Sequence, residues 1–142
     1  MQFSFTYPMV GGDHDPALTT RDGMRSVLEA AEAGGFGAVG FTDHPIPSRR
    51  WLEAGGHNAL DPFAALAFCA AVTEQIRLMT NVVVVPYRNP FLLAKMVATV
   101  DVLSEGRTIL GAGTGYLRAE YRALGVEFDE RNELFDEALD TI

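Results

Sequence analysis

The chain of 142 residues contains one cysteine, one lysine and one tryptophan. A lone Cys69 allows no internal disulfide and no cysteine-rich zinc site. Lys95 and ten arginines face nineteen acidic residues, for a net charge of −8. No basic face is therefore offered to nucleic acid or to an anionic membrane, and the acidity is read as an aid to solubility. No apolar run approaches the length needed to cross a bilayer. Met1-Gln2-Phe3-Ser4-Phe5-Thr6-Tyr7 has neither the basic start nor the apolar centre of a signal peptide, so the expected location is cytoplasmic. Low-complexity segments and sequence repeats are missing too. At 48% hydrophobic and 21% charged, the chain has the mix of one globular domain with a real core.

What is present is organised around Ile76–Pro90. Its apolar, β-branched run reads as one strand buried on both faces, the pattern of a parallel strand covered by helices. Pro86, lacking an N–H, ends it. Asn89-Pro90 then supplies an N-cap with proline at the first helical position. Leu93, Met96, Val97 and Val100 follow on one helical face. Strand, loop and helix occupy about 30 residues, the size of a βα unit.

That unit recurs along the chain. Phe3, Phe5 and Tyr7 alternate with polar residues as a first strand, and Gly11-Gly12-Asp13-His14-Asp15-Pro16 is a polar loop. A helix is predicted from about Thr20, with Met24, Val27, Leu28 and Ala31 inward and Gly34-Gly35 as its stop. Gly37–Thr42 is a second strand, and Pro45 to Leu60 a long loop. Asp61-Pro62 repeats the capped start for a helix that buries Phe63, Leu66, Ala67 and Ala70. Arg107–Leu110 begins a fourth strand, followed by a short helical piece at Ala119–Leu124. Asp129 is the expected cap of a last helix, whose stripe of Phe135, Ala138, Leu139 and Ile142 is still running at the final residue. The order βαβαβαβα means a parallel sheet, either doubly wound or part of an eight-stranded barrel. A whole barrel needs ~200 residues or more, so residues 1–142 are expected to supply about its first half, cut within the fourth helix.

In either architecture ligands sit at the C-terminal strand ends, where the polar candidates gather. These are Asp13-His14-Asp15, Asp43-His44, Tyr87-Arg88-Asn89 and Gly111-Ala112-Gly113-Thr114-Gly115-Tyr116. The glycine run departs from the dinucleotide fingerprint, because its third glycine comes one position early. It reads either as a tight turn or as a loop that lets backbone approach a ring or phosphate. Asp43-His44 reads as a cofactor-binding or proton-moving pair, or as a hydrogen-bonded pair that ties down a loop. His14, His57 and the Arg49-Arg50 pair read as solvated. Trp51 is either a lid residue or a packing anchor. Cys69 reads as a small buried hydrophobe. A metal site from Asp13, His14, Asp43 and His44 is disfavoured, since no His-x-His or cysteine pair preforms it.

Several stretches taken together resemble the bacterial luciferase-like monooxygenase superfamily. They are Thr42-Asp43-His44, Met79 to Pro90, Leu110 to Tyr116 with Glu120-Tyr121, Gly125-Val126, and Arg131 with Phe135 to Leu139. The branch using coenzyme F420 is the most similar. The resemblance implies a (βα)8 TIM barrel holding a deazaflavin, or alternatively FMN, at its C-terminal mouth. It also implies a cis Asn81-Val82 peptide behind the ring and a cofactor contact set of Asp43, His44, Thr80, Asn81, Val82, Gly111, Gly113 and Gly115. His44 would be the catalytic group, exchanging a proton with a small organic substrate while hydride moves. Some members carry an acidic proton donor where this chain has Tyr116. A homodimer is the expected assembly, and a non-catalytic half-barrel partner is the alternative from another class.

Overall fold

The computed structural model describes residues 1–9 and 15–142. Asp13 and His14 of the first polar loop lie outside the described residues. A short strand β1 (Ser4–Thr6) leads, past a 3-10 turn at Pro16–Thr19, into helix α1 (Arg21–Ala33). Strand β2 (Ala38–Phe41) follows, then α2 (Arg49–Glu53) and α3 (Pro62–Val72). Strands β3 (Arg77–Thr80) and β4 (Val83–Val84) precede α4 (Pro90–Leu103). The last unit comprises β5 (Thr108–Ile109), β6 (Ala112–Gly113), α5 (Arg118–Leu124) and α6 (Arg131–Thr141).

All pairings are parallel, in the order β1-β2-β3-β5, with β4-β6 as a separate pair. Register places Phe5, Val39, Leu78 and Thr108 in one row. Val39 and Leu78 are fully buried there with Leu28, Leu66, Leu93 and Val100 from α1, α3 and α4. The next row, Thr6, Gly40, Met79 and Ile109, points to the other face, the lumen side of a barrel. The chain is α/β and forms four βα units of a partial barrel.

The capped helix starts appear as the sequence writes them. Asp61 Oδ1 accepts from the Ala64 N–H at 2.9 Å, and Asn89 Oδ1 from the Phe91 N–H at 3.0 Å. Each satisfies an N–H that has no partner within its helix. Opposite the strand mouths, side chains lock the α3–β3 connection. Glu32 Oε1 takes the N–H groups of Gln75 at 2.6 Å and Ile76 at 2.8 Å. The Arg107 guanidinium donates to Thr73 Oγ1 at 2.8 Å and to the carbonyls of Thr73, Ile76 and Ala70, closing the carbonyl end of α3. A hollow of about 470 Å³ lies beside it, but its guanidinium is already occupied by these acceptors.

Four expectations need correction. The run from Ile76 to Val85 is two strands, not one. β3 ends at Thr80, the Asn81-Val82 peptide is cis, and β4 resumes in a different pair. The fourth strand is likewise divided, into β5 and β6 around Gly111. The Pro45–Leu60 loop contains a short helix, α2, whose start is held by Ser48 Oγ accepting from the Trp51 N–H at 3.3 Å. Asp129 caps nothing, because its carboxylate turns back to Arg118 at 3.0 Å and α6 begins after Glu130 without a side-chain cap.

A candidate active site at the strand mouths

A cleft of about 360 Å³ opens at the C-terminal strand ends, within the ~300–1,000 Å³ usual for small-molecule sites. Val82 and Val84 supply its apolar lining. Thr42, Asn81 and Thr114 add neutral polar groups, and His44, His57 and Tyr116 add rings. Val82 is 42% exposed although it belongs to the most apolar stretch of the chain. The bulge between β3 and β4 turns its side chain out of the core and into the cleft.

His44 follows β2 at the centre of this arrangement. Its ring lies 4.6 Å from Trp51, 5.0 Å from His57 and 6.0 Å from Tyr116, centroid to centroid. His57, read as solvated from its polar neighbours, is instead half-buried in this cluster. Its Nδ1 donates to the Asn58 carbonyl at 3.0 Å. Trp51 stands edge-on to His57 at 5.3 Å and packs as an anchor of its loop. The Nδ1 of His44 is 3.3 Å from Glu120 Oε2. Glu120, on α5, is only 1% exposed and was not among the residues singled out. Glu120-Tyr121 belongs to a recognisable stretch, but nothing in the sequence places the carboxylate beside the second strand. Tyr87 O–H donates to Glu120 Oε2 at 3.1 Å. Burial first, then the Glu120 carboxylate, push the Tyr87 phenol far above its ordinary range.

Asp43 lines the cleft, yet both its oxygens are engaged. Arg88 Nη2 donates to Oδ1 at 2.9 Å, Arg88 Nη1 donates to Oδ2, and the Val84 N–H reaches Oδ2 at 2.9 Å. Burial opposes the Arg88 charge, but the Asp43 carboxylate outweighs it and raises the guanidinium's pKa. Thr80 is 1% exposed and lies behind the cleft. Its hydroxyl donates to Gly111 O at 2.7 Å and accepts from the Gly111 N–H at 2.9 Å. The glycines serve close packing between strands. A Cβ on Gly111 would fall 2.2 Å from the Thr80 carbonyl oxygen, and one on Gly113 2.9 Å from Val82 Cγ2. Of the three glycines, only Gly115 lines the cleft, with φ +69° and no room for a Cβ beside Val84. Asn81 lines it too, and its amide donates to Thr6 Oγ1 at 2.8 Å. Among the described residues no three or more His, Cys, Asp or Glu side chains converge as metal ligands.

Parallel strands backed by helices, with an imidazole, neutral polar groups and an exposed apolar floor at the carboxyl ends, define part of an α/β barrel with a candidate small-molecule site at its mouth. The comparisons give its kind. The luciferase-like monooxygenase family model matches residues 1–142, and the chain belongs to that family. An F420-dependent glucose-6-phosphate dehydrogenase of Kribbella flavida is 38% identical over 130 residues, covering 84% of this chain and 37% of that protein. A limonene 1,2-monooxygenase of Rhodococcus erythropolis is 38% identical over 96 residues, covering 65% and 25%. The crystal structure of the monooxygenase RslO1 from Streptomyces bottropensis superposes with TM-score 0.82 at 31% identity, covering 99% of this chain and 41% of that one. The chain spans about a third of the length of the curated relatives it matches. Among the described residues no helix is long and apolar enough to cross a membrane.

Proposed function

We propose that this chain is the part of an F420-dependent oxidoreductase that faces the cofactor and moves the proton, acting on a small organic substrate. The observation that carries this is one cleft uniting an exposed apolar floor at Val82 with the His44 imidazole, whose Nδ1 is held by a buried carboxylate. F420-dependent dehydrogenases among relatives at 37–38% identity support the choice of cofactor. When bound, the deazaflavin supplies or accepts a hydride. The residues present suit a flat ring system: Val82 and Val84 offer it an apolar surface, Gly115 packs closely against Val84 and adds no side chain to the cleft, and Asn81 and Thr114 offer hydrogen bonds at its edges. His44 lines the same cleft and takes a proton from a substrate hydroxyl, or returns one to a carbonyl. Asp43, pinned by Arg88, holds the backbone at the mouth of β2.

The test belongs on a protein of the relatives' full length that carries these residues. Fluorescence titration should show tighter binding of F420 than of FMN, and single-turnover absorbance should show deazaflavin reduction or reoxidation without oxygen uptake. The limonene 1,2-monooxygenase relative favours a second reading, an FMN-dependent monooxygenase of the same family. Preferential FMN binding with substrate-dependent oxygen uptake would establish that reading in place of the first.

A further inference from the structure

We infer that Glu120 is the positioning residue that decides which nitrogen of His44 faces the substrate. The inference rests on the reading of His44 as the proton carrier, and it concerns atoms of this chain alone. A carboxylate only 1% exposed is costly unless donors surround it. Here the donors are the Tyr87 hydroxyl at 3.1 Å, the Ile46 N–H at 3.4 Å and the His44 ring at 3.3 Å. The Tyr87 hydroxyl and the Ile46 N–H both donate to the Glu120 oxygens, which makes the carboxylate the acceptor of the cluster, so the His44 nitrogen directed at it, Nδ1, carries a hydrogen. The neutral ring then has its lone pair on Nε2, the nitrogen left for the cleft.

That assignment matters because the two neutral tautomers have opposite chemistry. With Nδ1 protonated, Nε2 accepts a proton from a substrate hydroxyl. With the tautomer reversed, the cleft would meet an N–H donor that cannot act as a base. Tyr87 reinforces the arrangement. Its phenol stays protonated through burial and the nearby carboxylate, so it remains a donor to Glu120 and does not compete for the His44 hydrogen. In a Ser-His-Asp site, holding the imidazole in the wrong tautomer costs about 10⁴-fold. Carboxylate, imidazole and cleft stand in the same order here, without the nucleophile.

Long-range nitrogen–proton NMR of the ring resonances tests this on the chain as it is, which has only three histidines to assign. Above the range in which the imidazoles are protonated, His44 should be the Nδ1–H tautomer. Glu120→Leu, which removes the acceptor but keeps an apolar side chain of similar size, should move it towards Nε2–H. Tyr87→Phe, which leaves the carboxylate in place, should not. A wild-type His44 in the Nε2–H form overturns the inference, as does a Glu120→Leu tautomer that is unchanged. If Glu120→Leu fails to fold, the wild-type spectrum decides. The tautomer is read without any cofactor, so a failure to bind F420 would defeat the proposed function and leave this result standing. In the full-length enzyme, Glu120→Leu should lower kcat about 10²-fold, within the range for general acid–base catalysis, with KM nearly unchanged.

Discussion

Arg88 grips Asp43 with two parallel hydrogen bonds at a place where water hardly reaches either group. Their side chains are 14% and 2% exposed, and the second Asp43 oxygen also receives the Val84 N–H. One pair thus joins the end of β2 to β4 and to the start of α4. Among the described residues, Asp43→Ala would leave the guanidinium one carboxylate, Asp61, at 3.5 Å. Removing one partner of a buried pair costs about 3–5 kcal/mol, and urea unfolding should show a loss of that order. Asp43→Ala combined with Arg88→Met should cost clearly less than the two single changes added together. Strict additivity would show that the pair is not coupled.

His44→Ala, in a full-length enzyme carrying this chain, should reduce turnover by ~10²–10⁴-fold, the usual worth of a positioned proton carrier. Cofactor affinity should change far less. Unchanged turnover with a large loss of affinity would make His44 a binding residue instead.

Gly111→Ala should be among the most damaging small substitutions. The added methyl meets a backbone oxygen at 2.2 Å, and a backbone cannot rotate aside as a side chain can. Overpacking of this kind costs ~1–3 kcal/mol. Gly37→Ala makes a matched control, because its nearest neighbours would lie at 3.5 Å, ordinary contact, and its effect should stay within about 0.5 kcal/mol. Equal melting temperatures for the two variants would contradict the packing argument.

Stability should fall in alkali over a definite window. Burial, helped by Cys69, lifts the Tyr7 phenol to about 12, and burial lifts Tyr121 to about 12. In the unfolded chain a tyrosine ionises near ~10. The folded state therefore holds these protons more tightly. The stability they confer is complete below pH ~10 and is lost as the pH climbs to about 12. Phenolate absorbance and circular dichroism followed together should show the buried tyrosines ionising as the fold melts. Early ionisation of all four tyrosines in an intact fold would be inconsistent with this burial.

One face of α4 is uncovered and apolar at both ends, with exposed Lys95 and Thr99 between them. Phe91, Leu92, Val102 and Leu103 are 70%, 64%, 76% and 57% exposed, and helical spacing puts them on one side, away from buried Leu93 and Val100. We expect two copies of the chain to associate through this face. Sedimentation should show a dimer, and Leu92→Lys with Val102→Lys should shift it to monomer. A wild-type monomer at high concentration would contradict the expectation.

The elements with local signatures were legible in the sequence. Asp61-Pro62 and Asn89-Pro90 mark their helix starts because cap and proline act within one turn, and the inward stripe of α4 follows from its 3.6-residue period. The division of Ile76–Val85 was not legible from periodicity: Thr80-Asn81 stand at it, but two polar residues inside a β-branched run read equally well as part of one continuing strand. Only the resemblance pointed to Asn81-Val82. Helix α2 escaped because a single turn has no period, although Ser48 was its available cap. His57 and Glu120 escaped for a different reason: composition described their neighbours in the chain, whereas their surroundings in the fold are set by other strands and helices.

The hydrogen bonds that build the cleft also bear on the order in which the molecule acquires its parts. His44 and Glu120 are 76 positions apart in sequence, Asn81 and Thr6 are 75 apart, and Asp43 and Arg88 are 45 apart. The helix caps, by contrast, close over two or three residues. Long chain loops lose more entropy on closure, and contacts of high sequence separation slow folding. Helices and their caps should therefore be in place while the His44 ring still lacks its carboxylate, and a refolding chain should regain helical signal before it regains the fixed imidazole.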